Sequence, residues 1–119
     1  MLTRPRTFIA ALLFASAAGA GIAKADTIMS CMVGRVIEWS DRVDVYCSNS
    51  VTVNGGALVQ FFAIAKTDPD RANRWVSMAS SALLSGKSFE VIFKDNGADN
   101  VSNCPLSNCR TPYAFGLLK

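Results

Sequence analysis

The chain has 119 residues, half of them hydrophobic, with 12 lysines and arginines against 9 aspartates and glutamates, four cysteines and no histidine. The length is that of one domain, and the missing histidine excludes Ser-His-Asp and Cys-His nucleophile systems. Neither a phosphate-cradling glycine loop nor a metal-ligand spacing occurs. A zinc site is disfavoured because there is no Cys-x-x-Cys pair and no histidine, so the sequence reads as non-enzymatic and free of cofactors.

Met1–Ala25 has the three parts of a cleavable secretory signal: Arg4 and Arg6, an uncharged run from Phe8 to Ala20, and Ala23-Lys24-Ala25 as the small-x-small cleavage site. The apolar run is shorter than the about 20 residues that a membrane-spanning helix needs, and no second run of that length follows. The expected mature chain, residues 26–119, therefore carries no transmembrane segment and is secreted or periplasmic. Cleavage removes Arg4, Arg6 and Lys24 and no acid, which leaves nine basic and nine acidic residues. A neutral domain has no basic surface for a row of phosphates, so nucleic acid is not an expected partner. Export also leads to an oxidising compartment, where Cys31, Cys47, Cys104 and Cys109 are expected to form two disulfides.

Met32–Trp39 is the first strand candidate. Ser40-Asp41-Arg42 is a plausible turn into Val43–Cys47, where Val43, Val45 and Cys47 alternate with polar Asp44, as in a half-buried strand. Ser48–Gly56, with Asn54-Gly55-Gly56, reads as a loop or turn. Ala57–Ala65 is almost continuously apolar, which fits a strand covered on both faces. The helix signal is the clearest. Asp68 caps it, Pro69 sits at its first position, and Asp70 lies near its positive end. Trp75, Met78, Ala79, Ala82 and Leu83 recur at helical spacing, with Ser77, Ser80 and Ser81 mostly opposite them, and Gly86 stops it. Ser88–Lys94 alternates as a strand, 95–108 is a polar loop that would suit a binding rim, and Pro112–Lys119 is a last strand apolar enough to be internal. Three strands, one helix and two strands match the order of a mainly β, five-stranded OB-fold barrel with one α-helix between strands three and four. An α+β sandwich with the helix on one sheet face is the alternative.

Hairpin register bears on the disulfides. With the turn centred at Asp41, Cys47 faces Arg35, and Cys31 lies four residues further on, about 13 Å away. That exceeds the about 7 Å that a disulfide allows, so a Cys31–Cys47 pair is disfavoured and each of these cysteines is expected to reach Cys104 or Cys109. A local Cys104–Cys109 pair stays possible but requires Cys31–Cys47. All three connectivities remain open from sequence alone.

Cys31-Met32-Val33-Gly34-Arg35-Val36 at the first strand and Asn73-Arg74-Trp75 at the helix start together resemble the Shiga toxin B subunit family. The stretch from Trp75 to Phe93 also resembles the B subunits of subtilase cytotoxin and typhoid toxin. The resemblance spans most of residues 26–119, though only these short motifs are specific. It implies an OB-fold subunit of a homopentamer that binds cell-surface glycans and carries a catalytic toxin A subunit. It also implies a disulfide between the first strand and the last loop. Asn73, Arg74 and Trp75 match sugar-contacting positions of the Shiga family: Trp75 would offer an aromatic face, and Asn73 and Arg74 would donate to hydroxyls. Val76 stands where that family has a polar residue, and two of the four cysteines have no counterpart there. Trp39 and Asp41, at the first hairpin, complete the candidate glycan-binding set. The spacing of Trp75 with Met78 and Leu83 equally fits a core anchor. The competing function is a small periplasmic structural or inhibitor-like protein of the same fold that binds no glycan.

Overall fold

A computed structural model describes residues 26–118. The expected signal segment, 1–25, lies outside the described residues. The described chain is mainly β with one helix. Its elements are β1 (Asp26–Cys31), β2 (Val33–Glu38), β3 (Arg42–Thr52), β4 (Leu58–Ala65), α1 (Pro69–Ser85), β5 (Phe89–Lys94), β6 (Cys109–Arg110) and β7 (Ala114–Leu117). They form two sheets, ordered β1-β5-β7 and β2-β3-β4-β6, and not one closed five-stranded barrel. Every pairing is antiparallel except the short β4–β6 contact, which is parallel. The chain changes sheet four times: at Met32 between β1 and β2, through α1 between β4 and β5, through the 95–108 loop between β5 and β6, and between Arg110 and Ala114.

The alternating segments fold as their patterns dictate. Val43, Val45 and Cys47 of β3 and Phe89, Val91 and Phe93 of β5 are buried, while Asp44 and Glu90 between them are not. The apolar run of β4 is covered on both sides at its centre. Phe62 and Ile64 join the main core, whereas Ala63 faces a second, smaller cluster with Cys104 and Cys109. The helix begins and ends where its caps predict. The Asp68 side chain accepts from Arg71 N–H at 3.2 Å. Gly86 takes the left-handed conformation at φ 73° and donates to Ala82 O at 2.9 Å, a conformation that costs glycine little.

Three sequence expectations need correction. β1 precedes the first expected strand and pairs with β5 along its whole length, from Asp26↔Lys94 to Cys31↔Phe89. β3 runs on through Ser48–Thr52, because Val51↔Val59 and Thr52↔Leu58 resume the ladder after a bulge, so only Val53–Ala57 makes the turn. The last strand is not internal: β7 is a four-residue edge strand that pairs only with β5.

The disulfides are the fourth correction. The bonds are Cys31–Cys47, with Cα atoms 5.4 Å apart, and Cys104–Cys109, at 5.2 Å. No disulfide joins the first strand to the last loop. The hairpin closes on the two-residue turn Ser40-Asp41, so Glu38 faces Val43, and a bulge at Gly34 shifts the register again until Val33 faces Cys47. Two residues rather than four then separate Cys31 from the partner of Cys47, and the corner at Met32 closes the remaining distance. Side chains from the β3 bulge hold that corner. Asn49 accepts from Met32 N–H at 2.9 Å and donates to Ser30 O at 2.8 Å. Ser48 N–H and Oγ both donate to Met32 O. Gly34 lets the bulge pack closely on Tyr46, since a Cβ there would lie 3.3 Å from the ring and push it back by a few tenths of an ångström.

Candidate ligand-binding site at the hairpin tip

The β2–β3 hairpin tip is built around Arg42. Trp39 N–H donates to Arg42 O at 2.8 Å, which closes the turn. The Arg42 guanidinium then binds Asp44 through Nε at 3.1 Å and Asp41 through Nη1 at 3.0 Å, and lies 4.9 Å from the Trp39 ring centroid. Trp39 Nε1–H donates to the second Asp44 oxygen at 3.0 Å. Arg42 and Asp44 are both largely shielded, each with 13 % of its side chain exposed, so their pairing is firmer than that of an open surface ion pair. Trp39 keeps 46 % of its surface exposed. An aromatic ring, a guanidinium and two carboxylates are thus held at the tip in one arrangement.

The 95–108 loop comes against this tip. Asn103, at φ 68°, adopts the left-handed backbone that asparagine tolerates better than most residues, and its Nδ2 donates to Asp41 Oδ2 at 3.0 Å. The loop has its own internal frame. Asn100 donates to the carbonyls of Cys104 and Cys109 and accepts from Thr111 N–H, all at 3.0 Å. Buried Arg110 donates to the carbonyls of Asp95, Leu106 and Cys109 at 2.6 to 2.9 Å. Burial lowers the Arg110 pKa from its ordinary value, and the neighbouring Asp95 charge opposes that shift. Asp95 in turn accepts from the Thr27 hydroxyl. The Cys104–Cys109 bond closes the frame.

Tip and loop enclose a shallow hollow of about 590 Å³, lined by Trp39, Arg42, Asn103, Cys104 and Pro105. A second hollow, of about 440 Å³, has Arg42 as a shared wall and is lined also by Asp41, Thr67, Asn100 and Ser102. The arrangement can offer an apolar face from Trp39 with hydrogen-bonding groups beside it.

The sequence-derived candidates separate in space. Trp39 and Asp41 lie at this tip. Trp75 does not belong with them. It is fully buried, its Nε1–H donates to Val43 O at 3.1 Å, and its ring lies 5.1 and 4.9 Å from those of Phe89 and Phe115. It offers no face to a sugar, and the core-anchor reading is the correct one. Asn73 is exposed on α1 and lines a different hollow, of about 390 Å³, with Glu38, Lys66, Val43, Val76 and Ser77. Arg74 is exposed one residue further along the helix. Sequence reasoning missed Arg42, Asp44 and Asn103 as members of one cluster. Its only pointer to the partnership was the polar character of the 95–108 loop.

The hydrogen bond from Asn103, with Arg42 also contributing, lowers the Asp41 pKa below its ordinary 3.8. A lowered carboxylate pKa stabilises the fold above the unfolded value, and that contribution is lost as pH falls through the folded value. The tip–loop contact is therefore expected to persist at pH 5 and to release only below about pH 4. An NMR titration of the Asn103 side-chain amide checks this; a midpoint above 3.8 would contradict it.

No protein-family model matches this chain, and no curated protein matches it at a significant level.

Proposed function

We propose that this chain is an exported, non-enzymatic glycan-binding subunit whose site is the hairpin tip with the 95–108 loop. The observation that carries the reading is that half-exposed Trp39, Arg42 and Asn103 line one hollow, while Asp41 lines the neighbouring hollow that shares Arg42 and Asp44 braces Arg42 and Trp39. Aromatic faces take the C–H side of a sugar, and carboxylates and amides take its hydroxyls.

The fold is read here as an OB-type barrel divided into two sheets. β1 and β2 act as one strand bent at Met32, and β6 and β7 as one strand interrupted at 111–113. The pairings then run in a ring: β1/β2 with β3, β3 with β4, β4 with β6/β7, β7 with β5, and β5 with β1. In OB folds the loop between strands one and two and the loop between strands four and five bind oligosaccharides or oligonucleotides. Under this reading, those loops are the Ser40-Asp41 turn and the 95–108 segment. The neutral charge of residues 26–119 favours the oligosaccharide.

The two disulfides fit an extracellular or periplasmic protein, and among the described residues no helix is long and apolar enough to cross a membrane. The signal-like N-terminus makes export the route. The resemblance to toxin B subunits adds assembly to the proposal: five copies in a ring, delivering a catalytic A subunit. β2 ends one sheet and β1 and β7 end the other, which leaves strand edges on which a neighbouring copy can pair.

A glycan panel probed with purified residues 26–119, alongside light scattering, tests the proposal. Binding by a pentamer is expected. Trp39→Ala should weaken that binding by about tenfold while leaving the unfolding midpoint nearly unchanged. No glycan bound, with a monomer in solution, would overturn it in favour of a structural or inhibitor-like protein whose polar tip only braces the fold.

A further inference from the structure

The geometry points to an uncharged, hydroxyl-rich ligand at the hairpin tip, with acidic glycans discriminated against; this rests on the glycan-binding reading above. The two hollows that meet at Arg42 contain, among the described residues, one cationic lining side chain, Arg42 itself. That guanidinium is already shared between two carboxylates, Asp41 at 3.0 Å and Asp44 at 3.1 Å, so the cluster carries one excess negative charge. The next cation around the hairpin, Lys66, is paired with Glu38 at 2.7 Å and contributes no surplus. A carboxylate or sulfate ligand would have to displace Asp41 or Asp44 from Arg42, or sit beside both of them unpaired. Either way it meets like charge, at a solvent-facing site where added salt screens the repulsion.

The hydrogen-bonding inventory points the same way. The two oxygens of Asp41 accept from Arg42 and Asn103, and the two of Asp44 accept from Arg42 and Trp39. Asp41, which lines one of the hollows and keeps 46 % of its side chain exposed, has lone pairs left for a further donor, whereas Asp44 is largely shielded and lines neither hollow. Arg42 and Asn103 keep unused N–H groups beside the Asp41 acceptor, so the site suits a ligand that both donates and accepts without carrying charge, as the hydroxyls of a neutral sugar do. Trp39 adds a surface for the apolar side of the same ring. The lowered pKa of Asp41 keeps this character through mildly acidic pH.

The test is a printed panel in which each neutral oligosaccharide stands beside its sialylated and its sulfated counterpart, probed with wild-type protein and with Asp41→Asn at low and at physiological salt. Neutral members are expected to bind about tenfold or more tighter than their acidic counterparts at low salt, with the gap narrowing as salt rises. Asp41→Asn, which removes the excess charge, should narrow the gap without added salt. Equal or tighter binding of the acidic members would overturn this inference while leaving the glycan-binding reading intact. Binding to no member of the panel would overturn both.

Discussion

Trp75→Ala should be among the most damaging single substitutions in the domain, with a loss of about 3–5 kcal/mol. Trp75 is the largest of the fully buried side chains. Its ring closes the space between α1 and the sheets against Phe89 and Phe115. Its indole N–H also ties the helix to Val43 O, at the start of β3. Domains of this size hold about 5–15 kcal/mol in total, so the variant is expected to be partly unfolded at 37 °C. Trp75→Phe separates the two contributions. It keeps an aromatic ring in the core, removes the hydrogen bond, and should cost about 1 kcal/mol for the bond beyond the lost volume. Urea unfolding of both variants is the measurement. Wild-type stability in Trp75→Ala would contradict the core assignment and return Trp75 to the list of ligand contacts.

The second large effect concerns the disulfides. Cys31 and Cys47 are 16 residues apart and Cys104 and Cys109 only 5. Constraining the unfolded chain stabilises by about 3 kcal/mol for the longer loop and about 2 kcal/mol for the shorter. The Cys31→Ala/Cys47→Ala variant should therefore unfold at lower denaturant than the Cys104→Ala/Cys109→Ala variant. The consequences differ in kind as well. Losing Cys31–Cys47 frees the corner where the chain changes sheet. Losing Cys104–Cys109 leaves the two sheets joined but loosens the loop that carries Asn103, so the ligand site should suffer more than the fold. Unfolding curves paired with hydrogen exchange of 100–110 distinguish the two. Disulfide mapping by peptide digestion should return these two pairs; a bond from Cys31 or Cys47 to Cys104 or Cys109 would contradict the register described above.

What could be read from the sequence follows from the range of each interaction. α1 was legible from Asp68 to Gly86 because its caps lie within a few residues of the groups they serve. β3 and β5 were legible at Val43–Cys47 and Phe89–Phe93 because period-2 burial is also local. The disulfide pairing was not legible. It turns on a one-residue bulge at Gly34 and a corner at Met32 held by Asn49, whose two bonds span 17 and 19 residues. Two one-residue shifts, one at the Ser40-Asp41 turn and one at the Gly34 bulge, changed which cysteine lay within reach. The same limit applied at the site. Trp39 and Asp41 could be recognised as hairpin-tip residues, but Asn103 lies 62 residues further along and reaches Asp41 only through the folded loop. Trp75 shows the reverse case: the motif resemblance drew it toward ligand binding, while the helical stripe it shares with Ala79 and Ala82 already fitted the core.

The most direct measurement is the map of amide and indole shift changes when the most tightly bound panel glycan is added to isotope-labelled residues 26–119. The largest changes are predicted at the Trp39 indole, at Asp41 and Arg42, and along 100–105, with little change at the Trp75 indole. Changes confined to Asn73–Ser77 and Glu38, or no changes at any residue, would contradict a glycan site at the hairpin tip.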